Sequence, residues 1–259
     1  MAEMKVERFG PASDPGELAA RVRELPPPLG DLPDEVSRTI ASVRAGGDEA
    51  LVELGERHDG IRVSALRVSE SDLDGAADSV ESAVLDALRV AAANVEAVAK
   101  AQLGSESPRV ELPQGHRVMV RTVPVGSAGV YVPGGSASYP SSVLMGCIPA
   151  RVAGVERIAV ATPPSAIDGV DRVVLAACAL AGVDEVYAVG GAQAIAMLAY
   201  GTETIAAVDV IAGPGSARVQ EAKLRVSRDA GVDSYAGPSE LMVVFDDEDA
   251  VEWLALDVL

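Results

Sequence analysis

Val130-Tyr131-Val132-Pro133-Gly134-Gly135 decides how the chain is read, together with three later turns of the same kind. These are Val189-Gly190-Gly191-Ala192-Gln193, Ala212-Gly213-Pro214-Gly215-Ser216 and Ala236-Gly237-Pro238-Ser239-Glu240. Each follows a short apolar, β-branched run. Glycine reaches backbone angles closed to other residues and lets a ligand approach the main chain. Where such a turn also opens a helix, unpaired N–H groups and the helix dipole favour an anion. Repeated at successive strand ends, the pattern predicts a crevice along one edge of an α/β sheet, where small ligands bind in such folds.

Around these turns the sequence alternates strand, turn and helix. Strands are expected at Gly129 to Val132, Arg157 to Ala161, Glu185 to Val189, Val208 to Ala212 and Glu240 to Phe245, with a weaker one at Val232 to Tyr235. Their near-continuous apolar character indicates parallel strands buried on both faces. The helices between them are Ser141 to Val152, kinked or ended by Pro149, then Asp168 to Ala181, Ala192 to Tyr200 and Ser216 to Arg228. This alternation predicts a doubly wound, mostly parallel, Rossmann-like sheet.

Upstream, residues 1–33 are polar and close on Pro26-Pro27-Pro28, which reads as an N-terminal arm with one short helix. Val36, Ile40 and Val43 recur at helical spacing until Gly46-Gly47, after which Asp48 is the expected cap of a second helix. A short strand is expected at Leu66-Arg67-Val68 and a helix start at Ser69. The stretch from Ser79 to Leu103 is the longest expected helix, with Val80, Val84, Leu88, Ala91, Val95 and Val98 as its core-facing stripe. Val110 to Val125 alternates as one or two extended strands, with Val118, Val120 and Thr122 on one face.

Composition narrows the function classes. The chain has 259 residues, enough for one large domain or two ordinary ones. Aromatic residues make up only 3%, so a core must come from Ala, Val, Leu and Ile. Acidic residues outnumber basic ones, 39 to 21, and such a surface repels phosphodiester backbones, which argues against nucleic-acid binding. No run reaches the roughly 18 apolar residues of a membrane span, and no basic start precedes an apolar segment. A cytoplasmic protein is the expectation. Cys147 and Cys178 lie in apolar helical patterns without metal-ligand spacing and read as buried, inert thiols. His58 and His116 stand singly in turn-like contexts, so neither is expected to be a metal ligand or general base.

The runs Tyr131-Val132-Pro133-Gly134-Gly135, Ser142-Val143-Leu144-Met145, Gly190-Gly191-Ala192-Gln193-Ala194-Ile195-Ala196, Tyr200-Gly201-Thr202-Glu203 and Gly237-Pro238-Ser239-Glu240 resemble those of the histidinol dehydrogenase family, in the family's order and spacing. The resemblance implies a zinc-dependent, NAD-linked oxidation of L-histidinol through the aldehyde to L-histidine, the last step of histidine biosynthesis, by a homodimer. It implies cofactor contacts for Tyr131 and Gln193 and a substrate contact for Ser239. The third cofactor position falls on Ser216, where the family has asparagine; serine is shorter and offers one donor. Arg218 beside it reads as a solvent-facing helix arginine or as charge for a phosphate.

In the family, the zinc ligands and the Glu and His pair used for acid and base chemistry fall beyond the segment matching Trp253 to Leu259, so no catalytic residue and no metal ligand is assigned in this chain. By the same resemblance, residues 130–240 form the dinucleotide-binding-like domain. Residues 34–129 with 241–259 form a first, incomplete α/β domain into which it is inserted, with an exposed hydrophobic edge. Two alternatives stand beside this reading: a catalytically inactive NAD or ligand-binding module, and a dehydrogenase of another small alcohol.

Overall fold

The structure is a computed structural model that describes residues 14–23, 30–103, 109–134, 137–165 and 169–234, together with Trp253. The expected strand at Glu240 to Phe245 and the Ser239 turn lie outside the described residues.

Helix α1 (Pro15–Arg23) is short and largely exposed. Helix α2 (Leu32–Asp59) begins with a proline in its first turn, followed by Asp34 and Glu35, and Gly60 ends it in the left-handed conformation. Gly47, at φ 53° and ψ −134°, breaks it midway, so the two expected helices meet at a kink. The expected cap is not supplied by the Asp48 side chain. Instead Glu203, far along the chain, accepts from the Asp48 N–H at 2.9 Å, while the Asp48 carboxylate takes the Thr204 hydroxyl. A side chain at Gly47 would collide with that Glu203 carboxylate.

Helix α3 (Glu70–Asp74) is capped by Ser69, whose hydroxyl accepts from the Asp72 N–H at 3.1 Å. Helix α4 (Ser82–Gln102) buries Leu85, Leu88 and Ala99 and half-buries Ala92 and Val95. Of the expected stripe, Val80, Leu88, Ala91 and Val95 pack on this core, whereas Val84 and Val98 stand outside it, Val98 being 60% exposed. Two short strands follow, β1 (Arg109–Glu111) and β2 (Arg117–Met119), paired antiparallel with Val110 opposite Val118. Residues 120 and 122 lie past the end of β2, so the expected common face with Val118 is not built.

The main sheet contains β3 (Ser127–Tyr131), β4 (Arg157–Thr162), β5 (Glu185–Ala188), β6 (Val210–Ala212) and β7 (Gly231–Val232). Its order is β5-β4-β3-β6-β7 and every pairing is parallel. Successive side chains in a strand face opposite sides, so each face builds its own core. Tyr131, Ala159, Ala161 and Tyr187 face α2, α7 (Gly191–Tyr200) and α8 (Ala217–Val226). Val130, Val132, Val160 and Val186 face α4, α5 (Pro140–Val152) and α6 (Arg172–Ala181). Small residues allow the close approach: a Cβ on Gly146 of α5 would sit 2.6 Å from Val130.

Leu66 to Val68 adds an antiparallel edge to β5, through Val68 N–H to Val186 and Ala188 N–H to Leu66, both at 2.8 Å. Helix α6 starts later than expected, because Asp171 caps it by accepting from the N–H groups of Val173 and Val174. Pro149 lies in the last turn of α5, which ends at Val152. Cys147 and Cys178 are buried in the packed face. Burial pushes the Cys147 thiol up to about 12 and the Cys178 thiol well above its ordinary range, so neither is a thiolate at neutral pH.

Candidate functional site

The strand order reverses between β3 and β6: the chain builds β4 and β5 on one side of β3, then crosses to build β6 and β7 on the other. That reversal is a topological switch point, and the crevice outside the carboxyl ends of the two strands is where open α/β sheets bind ligands. Three of the four glycine turns converge there: the one after β3, the one between β5 and α7, and the one between β6 and α8.

Tyr131 ends β3 and is 4% exposed. Its hydroxyl accepts from the Gly191 N–H at 3.1 Å, which ties the end of β3 to the N-terminus of α7. Burial pushes the phenol's pKa up; the Gly191 bond opposes this and the nearby Asp59 carboxylate adds to it. Gln193, in the first turn of α7, is buried and lies back over Gly191, where a Cβ would meet its Oε1 at 2.9 Å. Tyr131 and Gln193 therefore meet at one helix N-terminus. Gly213 after β6 takes φ 124°, and a side chain there would collide with the Tyr131 carbonyl oxygen. Only glycine lets β6 turn away this close to β3.

Ser216 occupies the N-cap position of α8, exposed and with its side chain capping nothing. Arg218 is committed elsewhere: its guanidinium donates to Glu35 of α2 at 3.0 and 3.4 Å. That contact, against the opposing effect of burial, holds the Glu35 carboxyl below its usual range. Ser239 lies outside the described residues.

Two adjoining cavities open on this edge. One, of about 360 Å³, is lined by Glu35, Thr39, His58, Asp59, Gln193 and Arg218. The other, of about 480 Å³, is lined by His58, Asp59, Pro133, Thr162, Ser165 and Asp171 among others. His58 and Asp59, in the last turn of α2, form the wall between them. Asp59 Oδ2 is buried without a hydrogen-bond partner, and burial raises the carboxyl's pKa, with His58 pulling the other way. An acidic residue at the negative end of a helix is locally unfavourable, which adds to the cost of that charge. A larger cavity of about 810 Å³ lies along the Leu66 edge, lined by Arg62, Arg67 and Arg172. It meets the second of the smaller pair at Ile61 and Ser165, but only the smaller pair is lined by the turns after β3 (Pro133, Gly134) and before α7 (Gly191).

Among the described residues no three His, Cys, Asp or Glu side chains gather as a metal would require. His116 sits in the exposed β1–β2 turn, away from His58 on the crevice wall.

The sequence pattern that defines histidinol dehydrogenases matches residues 29–259. The chain belongs to the histidinol dehydrogenase family. It is 48% identical over 231 residues to the histidinol dehydrogenase of Rhodospirillum rubrum, covering 88% of this chain and 53% of that protein. With the enzyme of Methanothermobacter thermautotrophicus it shares 44% over 237 residues, 88% of this chain and 54% of the other. The crystal structure of histidinol dehydrogenase from Elizabethkingia anophelis superposes with a TM-score of 0.81 at 30% identity, over 88% of this chain and 52% of that one. The chain thus spans about half the length of the histidinol dehydrogenases it matches.

One histidinol dehydrogenase-like run, Tyr200 to Glu203, has a structural task here. Glu203 caps the second half of α2, and Tyr200 carries Arg44 over its ring at 4.5 Å and donates its hydroxyl to Asp229 at 2.8 Å.

Proposed function

We propose that the switch-point crevice binds NAD and that the chain forms the cofactor-holding part of a histidinol dehydrogenase, which oxidises L-histidinol through the aldehyde to L-histidine. The observation that carries this is the Tyr131 hydroxyl to Gly191 N–H bond, which places the phenol ring and the Gln193 amide at one helix N-terminus. Tyr131 offers an aromatic face, Gln193 both a donor and an acceptor, and the N-termini of α7 and α8 offer N–H groups and dipole charge for a pyrophosphate. Ser216 offers one hydroxyl at the head of α8. Ser239 is the proposed substrate contact. Bound NAD would supply the hydride acceptor, while these residues fix its orientation and exclude water from one side.

Zinc is the second cofactor expected of such an enzyme. The described residues provide no ligand set for it, so no step is derived through the metal. A homodimer in the cytoplasm, with residues 130–240 as the cofactor domain inserted in a first α/β domain made of 34–129 and 241–259, completes the proposal. Titrating NAD against the chain and its Tyr131→Ala and Gln193→Ala variants tests the cofactor reading. Saturable binding weakened by both substitutions supports it, and equal affinities would remove these residues from the site. NAD bound without histidinol oxidation would favour the binding-module alternative.

A further inference from the structure

Lys223 is a charged side chain 1% exposed to solvent, and the cofactor reading does not use it directly. Burying an ammonium is expensive, and an apolar residue of similar volume is often as stable or more so. What the lysine does is visible in its partners. Its Nζ donates to the Gly213 carbonyl at 3.0 Å and forms an ion pair with Asp233. Asp233, just after β7, accepts from the Gly213 N–H at 2.9 Å through Oδ2 and from the Ser234 N–H at 2.7 Å through Oδ1. Both backbone polar groups of Gly213 are therefore held by one ion pair, its buried lysine half supplied by α8 and its solvent-facing aspartate half by the end of β7.

Gly213 is also the residue with no room to move. It adopts an angle restricted to glycine and abuts the Tyr131 backbone. Beyond it Pro214 and Gly215 lead directly into the N-terminus of α8. Any displacement at Gly213 is thus passed to the two faces of the crevice, the Tyr131 end of β3 and the head of α8. We propose that Lys223 and Asp233 are positioning residues for the dinucleotide: their ion pair holds the Gly213–Ser216 turn in the shape that receives it. This rests on the cofactor reading above.

The test compares the full chain with Lys223→Met, Asp233→Asn, the double Lys223→Met/Asp233→Asn variant and Asp233→Glu, measuring Tm and NAD affinity well below every Tm. Asp233→Asn strands the buried Lys223 ammonium and lowers Tm most, Lys223→Met removes the donor to the Gly213 carbonyl and lowers it less, and the double variant regains most of the first loss. The expected result is that the double variant and Asp233→Glu still bind NAD about tenfold more weakly, because the turn is no longer held. Parental NAD affinity in either of them would show that the pair serves stability alone and overturn the inference. Should the double variant fail to fold, Asp233→Glu decides, since it keeps the charge and lengthens only the reach. A parent chain that binds no NAD removes the cofactor reading and this inference with it; a parent that binds while both variants match it removes this inference only.

Discussion

The five-stranded sheet and the β1–β2 ribbon are both rich in β-branched residues, yet they end in opposite environments. Val130, Val160 and Ile211 are at most 1% exposed, while Val110, Val118 and Met119 stay about half exposed. In the sheet, helices cover each face and small residues such as Ala159 and Ala161 let them come close. The ribbon pairs only with itself among the described residues. Strand formation and burial are therefore separate outcomes: alternation makes a strand, but only a covering element makes it core. Val110, Val118 and Met119, exposed between the ribbon's charged residues and next to Val120, make an apolar surface that invites association.

The largest expected contrast comes from truncating one side chain in each region. Ile195→Ala on α7, fully buried against the sheet, should cost about 2–5 kcal/mol in denaturant unfolding. Val118→Ala should stay within about 0.5 kcal/mol. A ribbon substitution costing as much as the core one would mean that the ribbon is packed after all.

Next in size is Gly213→Ala, at the sheet's crevice end. It forces a Cβ into the Tyr131 carbonyl, so a loss of about 1–3 kcal/mol is expected, with NAD affinity falling alongside. Parental stability would show that the strand ends are looser than the strand centres.

Two carboxylates sharpen the contrast by responding to pH in opposite senses. Burial pushes the Asp233 pKa up, but Lys223 and the Gly213 and Ser234 N–H groups outweigh it, leaving a net value below the ordinary 3.8. Its contribution to stability is therefore present above about pH 3.8 and lost as pH falls through the folded value. Asp59 is raised instead, so its contribution is full below its ordinary 3.8 and lost as pH rises through the folded value. Asp59→Asn should then raise stability at neutral pH, since an amide sits in the crevice wall without a charge to bury. Unfolding curves at pH 7 and pH 3 check both signs. An Asp59→Asn variant less stable than its parent at pH 7 would show that the carboxylate has a partner in solution.

The smallest effect is on the ribbon's surface. Val118→Ser with Val120→Ser should leave Tm unchanged and reduce self-association in sedimentation or light scattering. Unaltered association would place the sticky surface elsewhere, for example at the groove of Val98 and Met145 between α4 and α5.

Much of the sheet was legible because its strands carry uninterrupted apolar runs bounded by glycine turns, a signal that depends on near neighbours in sequence. The start of α6 was misplaced because its cap is Asp171, inside the apparent helix. The expected stripe holds at Leu88, Ala91 and Val95, but packing on α5 and α6 takes in Leu85 and Ala92 and leaves Val84 and Val98 outside, which near neighbours in sequence do not decide. Tyr131 and Gln193 are singled out through the resemblance to the histidinol dehydrogenase family, which their turns carry. Asp59 and Lys223 are not: the first looks like the polar end of an amphipathic helix, and the second shares α8 with Arg218, Glu221 and Arg225, where a lysine reads as solvated. Their meaning comes from the fold: Asp59 comes close to Tyr131, and Lys223 reaches back to the Gly213 carbonyl before its own helix.

The central claim is that the ends of β3, β5 and β6 form one nucleotide groove. Its most direct test is an NAD titration followed at the backbone amides of Gly191, Gln193 and Gly213. Saturable shifts at all three, with a common affinity that Tyr131→Ala weakens, are the predicted result. No saturation, or shifts confined to the Arg62 and Arg67 edge while these three stay unmoved, would contradict it.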